Sequence, residues 1–309
     1  MNNQAASFSK KLAFAAKFDK ASAGIYHADI SLSLVATPKV TTVTANAVPW
    51  DKLVYMQDMT EYACMQAKIG DSKTLIDVRG KAGENTYSIA KLSDGKCWMT
   101  QNLRLSRETS NKGVALTAND TNVDPTDKWF HYYMPESTTG AFDNTKSGNY
   151  YTNQQVRAAT DNDYGAYYSY NVATLNKVWN QSSGTATYDI CPKGWRLPTG
   201  GSSGEFQALA QIYPAGSLNN NSNTTGWTTN NGKNGRWLGA ANATGGAFFP
   251  AAGLVNTSGL SNTGSEGYYW SSTINDATYA YNLNFGSRPI YPANNYNRYI
   301  GFSVRCVAK

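Results

Sequence analysis

The sequence predicts an α+β domain made of small sheets, one or two helices and long irregular loops. Three observations carry that prediction. Apolar residues recur in short alternating runs bounded by Gly, Asn and Asp turns. One segment beyond Leu197 has helical spacing behind a capping sequence. The composition is neutral and polar: 16% of residues are charged against 41% hydrophobic and 13% aromatic. That balance suits a loop-rich extracellular fold better than a helical cytosolic enzyme.

At 309 residues the chain suits one large domain or two modest ones. The pattern sets residues 1–48 apart from 49–309. In the first segment Phe8, Leu12, Phe14, Ala15 and Phe18 have roughly helical spacing, with Lys10, Lys11, Lys17 and Lys20 on the polar side. This suits a membrane or assembly contact through residues 8–20, or a short helix docked on the protein. The apolar run Leu12–Ala16 is too short for a signal peptide and Lys17 interrupts it. No apolar run is long enough to span a membrane. The Thr/Val/Ala stretch that follows reads as a linker or an edge strand.

Trp50–Gln66 reads as a helix or a pair of turns ending near Cys64. Leu75–Asp77, Thr86–Leu92 and Cys97–Gln101 are strand-like, with turns at Gly80–Gly83 and at Asp94-Gly95, the latter a good hairpin signal. Ser106–Ser183 is polar and Tyr-rich with weak periodicity, and its tyrosines argue for packing rather than a disordered linker. Ser202 and Glu205 form a capping box, after which Phe206, Leu209, Ala210 and Tyr213 share a helical face. Short aromatic pieces follow at Gly226-Trp227, Arg236–Leu238 and Ala247–Pro250. Two strands close the chain, one opening at Tyr268–Trp270 and one alternating through Phe302, Val304 and Cys306.

The net charge of +6 is spread thinly, so a nucleic-acid partner has no electrostatic footprint. The four cysteines, Cys64, Cys97, Cys191 and Cys306, form no CxxC pair, and the two histidines, His27 and His131, leave no zinc spacing. An even count in a polar chain favours two disulfides, with three pairings open, over four buried thiols.

Several pieces in order resemble the FISUMP domain, a large family of bacterial surface proteins. They are Met56–Thr60 to Cys64, Leu75–Arg79, Asp94–Leu103 (DGKCWMTQNL), Tyr188–Pro198 (YDICPKGWRLP), Gly267–Ser272 (GYYWSS) and Gly301–Cys306 (GFSVRC). The match covers about residues 55–309, and the ordered set is specific where any one piece alone would be weak. The resemblance implies a C-type-lectin-like fold: a small mixed β-sheet, one or two helices and long irregular loops. It also implies Cys64–Cys97 and Cys191–Cys306 bridges, each adding about 3–5 kcal/mol, and a protein secreted or held at the cell surface.

Enzyme chemistry finds little support. No histidine lies beside Cys97 or Cys191, and the paired-cysteine site of the lectin-folded formylglycine-generating enzymes has no counterpart. Glu136, Glu205 and Glu266 are the only glutamates of the later chain and offer no acid/base pair, Glu205 being taken up by the cap. The Glu-Pro-Asn or Gln-Pro-Asn motif of calcium-dependent lectins is absent; Ile274-Asn275-Asp276 is the nearest fragment. Asp120–Asp127 and Asp161–Asp163 could hold Ca²⁺ but read first as solvated loops. No cofactor and no metal are expected.

The informative stretch is Asn275–Ile300, which contains no Lys, Gln, Glu, Met or Trp. Replacing the two leading adenines of an Asn codon at random gives products that include Asn, Tyr, Ile, Ser, Gly, Asp, Thr, Ala, Arg and Pro, but never those five or a stop. The stretch therefore resembles the variable region of a diversity-generating retroelement target. On that reading the varied positions are Asn275, Asp276, Thr278, Gly286, Ser287, Arg288, Ile290, Tyr291, Asn294, Asn295, Tyr296, Asn297, Tyr299 and Ile300. Tyr281, Leu283 and Phe285 would be fixed and face the core. The expectation is a non-enzymatic binder of a protein or glycan ligand, with Arg288, Tyr291, Tyr296 and Tyr299 as anchors on one flat surface. The alternative is a static surface adhesin that stacks polysaccharide on Trp227 or Trp237.

Overall fold

The computed structural model describes residues 47–79, 86–105, 121–122, 156–158, 164–175, 177–178, 181–216, 218–219 and 222–309. The amphipathic segment 8–20, both histidines, Glu136, the Gly80–Gly83 turn, much of the Tyr-rich stretch and the aspartates of the two acidic loops lie outside the described residues. So do 1–46 of the proposed N-terminal segment.

Two 3₁₀ turns, Trp50–Lys52 and Met56–Asp58, precede α1 (Glu61–Gln66), whose cap is Thr60 accepting the Ala63 amide at 3.2 Å. The first strands are β1 (Ser72–Ile76), β2 (Thr86–Lys91) and β3 (Cys97–Met99). After them come β4 (Thr121–Asn122), β5 (Val156–Ala158), β6 (Ala166–Tyr168) and α2 (Tyr170–Ala173). The middle of the chain contributes β7 (Gly184–Thr185), β8 (Asp189–Pro192), β9 (Trp195–Arg196) and α3 (Glu205–Ile212). It continues with β10 (Trp227–Asn230), β11 (Lys233–Leu238), β12 (Ala247–Pro250), β13 (Leu254–Asn256) and β14 (Gly259–Ser261). The last strands are β15 (Glu266–Ile274), β16 (Tyr279–Gly286), β17 (Ile290–Asn297) and β18 (Val307–Ala308). The described residues are thus β-rich with few, short helices.

Two sheets organise the molecule. One runs β1-β2-β3-β18-β9, so the last strand closes against the hairpin that the Asp94-Gly95 turn forms. The other runs β17-β16-β15-β7, and separate core clusters cover both of its faces. Tyr268, Trp270, Ile274 and Ala280 face one cluster; Tyr269, Leu283, Phe285 and Ile290 face the other, together with Phe206 and Leu209 of α3. Burial on both faces explains why the closing segment departs from the expected alternation. Ser303 and Arg305 are as buried as Phe302 and Val304, and the segment forms single bridges rather than a long strand.

Two motif glycines follow from close approach. A Cβ on Gly194, at φ +83°, would stand 2.3 Å from the Met59 carbonyl oxygen. One on Gly267 would stand 2.2 Å from the Phe285 ring, so the Gly-Tyr-Tyr-Trp strand can pack on β16 only without that side chain. Both bridges form: Cys64–Cys97 fastens α1 to β3, and Cys191–Cys306 fastens β8 to the closing segment.

The capping box does not form. Helix α3 starts at Glu205 itself, with Gly204 at the cap and no side-chain cap bond. Glu205 is buried and serves instead as an ion-pair centre. It accepts two bonds of 2.6 Å from Arg196, one from the Lys96 ammonium and one of 2.8 Å from the Thr199 amide. Burial raises its pKa, but the Arg196 hydrogen bonds and charge, Lys96 and the Thr199 amide outweigh it and hold the carboxyl at about 2. The folded value lies below the unfolded one, so the stabilisation is present above about pH 4.5 and is lost as pH falls towards 2. Glu205→Gln is expected to lower stability at pH 7 by about 2–3 kcal/mol and to flatten the acid limb of a urea-midpoint profile. An unchanged acid limb would place the titration elsewhere.

Candidate functional site

Strand β17 lies at the edge of its sheet, where Pro292 is tolerated because no ladder donor is needed on the outer side. Strands β16 and β17 are antiparallel, with Tyr279 opposite Asn297 and Phe285 opposite Ile290. The 275–278 connection and the 287–289 turn therefore sit at opposite ends of an eight-residue strand, about 26 Å apart at ~3.3 Å per residue. The expected positions consequently do not form one flat surface. They split into a proximal end (Asn275, Asp276, Thr278, Asn297, Tyr299), an edge (Tyr291, Asn294, Asn295, Tyr296) and a distal turn (Ser287, Arg288).

Three expected positions are not surface positions at all. Ile290 is fully buried beside Phe285, Ile300 joins the core near Phe302, and Gly286 is buried beneath the distal turn. The physical reason is that both faces of this sheet are covered. Tyr296 and Tyr299 are half-buried and pack on the core, with the Tyr296 ring 6.0 Å from Tyr268 and 5.4 Å from Phe302. Of the residues expected to face the core, Leu283 and Phe285 do so, whereas Tyr281 is only half-buried beside Gly200 and Gly201.

What remains exposed or half-exposed is largely unengaged. The carboxamides of Asn294, Asn295 and Asn297 form no hydrogen bond with the described residues, and Thr278, Ser287, Arg288 and Asn295 are exposed. Asp276 differs. Its carboxylate accepts the Thr278 and Tyr279 amides at 2.7 and 2.8 Å and the Asn275 amide group at 3.0 Å, which shapes the connection.

Both ends are fastened from beneath by arginines that sequence reasoning passed over. Arg298, buried over the Tyr170 ring at 5.5 Å, donates to the carbonyls of Asp276, Tyr279, Val178 and Gln181. Arg236, fully buried, donates to Gly286 and Asn223 at 2.9 Å, Thr225 at 2.7 Å and Arg288 at 3.4 Å. Burial lowers its pKa to about 10, with only the Tyr213 hydroxyl opposing. Loop carbonyls accept from both guanidinium groups, although the buried Arg236 Nε finds no acceptor among the described residues, and such pairing leaves no pattern in sequence. The exposed ends thus rest on fixed backbones.

Trp227 and Trp237 are half-buried, their rings 6.4 Å from Phe285 and 5.6 Å from Phe248. Among the described residues no three His, Cys, Asp or Glu side chains gather as for a metal, and no helix is long and apolar enough to cross a membrane.

The family described as the Fibrobacter succinogenes major domain (Fib_succ_major) matches residues 94–308, well over half of the chain. Its span includes β17, both turns and three of the four bridged cysteines; the segment from residue 55, which the sequence comparison had included, precedes it. No curated protein and no solved structure matches the chain.

Proposed function

The chain belongs to the Fibrobacter succinogenes major domain family, and from that premise we propose that it is a non-enzymatic binding protein presenting a diversified edge on a C-type-lectin-like scaffold. One observation carries this reading. Within 275–300 one set of side chains fills the core and another, Asn294, Asn295, Asn297, Thr278, Ser287 and Arg288, is unengaged, and buried arginines hold the backbone at both ends of the stretch. Replacing the unengaged set leaves the framework intact, which is what a varied surface requires. The restricted residue types of the stretch support the retroelement origin. The small sheets, long loops and closure of β18 on β3 support the lectin-like reading. The two bridges and the polar surface support an extracellular site of action.

On this reading the ligand contact is the β17 edge with its proximal end. Tyr291, Tyr296 and Tyr299 give rigid aromatic contact and the three asparagines adaptable hydrogen bonds. The ligand is a protein or glycan large enough to cover an eight-residue strand.

Randomising Thr278, Tyr291, Asn294, Asn295 and Asn297 with codons open at the first two bases is expected to leave most variants within about 4 °C of the parental Tm. Selection of that library against lysozyme as a model target should yield binders. A library in which most members unfold would sink the diversified-surface reading. The retroelement origin is checked separately in flanking DNA, which should hold a reverse transcriptase gene and a near-copy of the 3′ end differing only at adenines.

A further inference from the structure

A cleft of about 130 Å³ opens away from β17, between Thr100 and Gln101 after β3, the β10–β11 turn (Asn230, Asn231, Lys233) and β12 (Phe248, Pro250). Its floor is Arg305, which is 1% exposed. Asn102 Oδ1 accepts from the Arg305 Nε at 3.1 Å and from one terminal nitrogen at 2.8 Å, and the Phe248 carbonyl accepts from the other at 2.8 Å. A guanidinium carries five N–H donors; three are engaged here, and two have no acceptor among the described residues.

No carboxylate among the described residues faces this buried cation. The Phe249 ring lies 4.1 Å and the Tyr269 ring 5.6 Å away, and burial lowers the guanidinium pKa to about 10 against the opposing Tyr269 hydroxyl. A second cation, Lys233, stands at the rim with its ammonium 5.7 Å over the Tyr164 ring and is engaged in a further contact as well. Two positive groups, three carboxamides, a hydroxyl and an apolar wall of Phe248 and Pro250 converge on this space.

The geometry points to this cleft as a binding site for a carboxylate-bearing sugar ring, a uronate unit of an acidic polysaccharide. Its carboxylate takes the two remaining Arg305 donors and the Lys233 ammonium as charge-assisted hydrogen bonds. The ring's apolar face lies on Phe248, and its hydroxyls reach Asn230, Asn231 and Gln101. Asn102 acts as a positioning residue that fixes the plane of Arg305. The cleft shares no residue with 275–300, so it stands or falls independently of the β17 reading.

The test is calorimetric titration of the full chain with sodium glucuronate, glucose and sodium acetate at low salt. Glucuronate is expected to bind with a Kd on the order of 1 mM, and glucose and acetate about tenfold or more weaker. Lys233→Ala, at the rim, is expected to weaken glucuronate about tenfold with an unchanged Tm. Acetate binding as tightly as glucuronate would make the cleft a site for an adventitious ion only. Glucose binding as tightly would remove the carboxylate from recognition. Full affinity in Lys233→Ala would overturn the site.

Discussion

Replacing Cys191 and Cys306 together by alanine is expected to destabilise the protein by about 5 kcal/mol, against about 4 kcal/mol for the Cys64/Cys97 pair. The difference follows from the loops closed, 115 residues against 33. A longer loop loses more freedom in the unfolded chain when it is tethered, although the cost rises only logarithmically. Packing adds to the same order. Cys191 and Cys306 are fully buried between β8 and the closing segment, while Cys64 is 8% exposed. Urea unfolding of the two double variants measures both values, and a larger loss in the Cys64/Cys97 variant would refute the ranking. The outcome bears on function because the Cys191–Cys306 bridge anchors Phe302–Val307, the segment on which the β15–β17 sheet lies.

Phe302→Ala is expected to cost about 4 kcal/mol, whereas Ser287→Ala and Arg288→Ala should each stay within about 0.5 kcal/mol. The Phe302 ring lies 4.2 Å from Trp270, 4.9 Å from Tyr268 and 5.4 Å from Tyr296, so its removal opens a cavity beneath the edge strand. Tyr296 then loses its floor, and ligand contact at β17 should weaken as well. Arg288 stands at the other end of the sheet; its carbonyl, not its side chain, is what Arg236 holds. Thermal unfolding of the three variants is sufficient. A loss at Arg288→Ala comparable to that at Phe302→Ala would mean the distal turn is framework.

Local patterns that reach the structure intact are those whose physics is local. The Asp94-Gly95 turn and the helical face Phe206, Leu209 and Ala210 formed where spacing and turn residues placed them, whereas Tyr213 follows the helix in extended backbone; the short aromatic pieces around Trp227, Trp237 and Phe249 became strands. Glu205 shows where local reasoning ends. Its distance from Ser202 fits a capping box, yet Arg196 and Lys96 converge on it from other strands, and an ion pair between distant residues leaves no mark in a short window.

The candidate site divides in the same way. By itself the sequence determined the residue types of 275–300, hence the chemistry available to a contact surface, and the ordered motifs that identify the family. Only the tertiary structure decided which of those residues can reach a ligand. Ile290 and Ile300 obey the same codon rule as Asn294 and Asn295, but a sheet covered on both faces draws the isoleucines into the core and leaves the asparagines at the edge. Likewise Arg236, Arg298 and Arg305 look alike in sequence, and the fold separates them. The first two fasten loops through their backbone carbonyls, while the third lines a cleft. Burial depends on what the rest of the chain brings alongside, and composition does not record that.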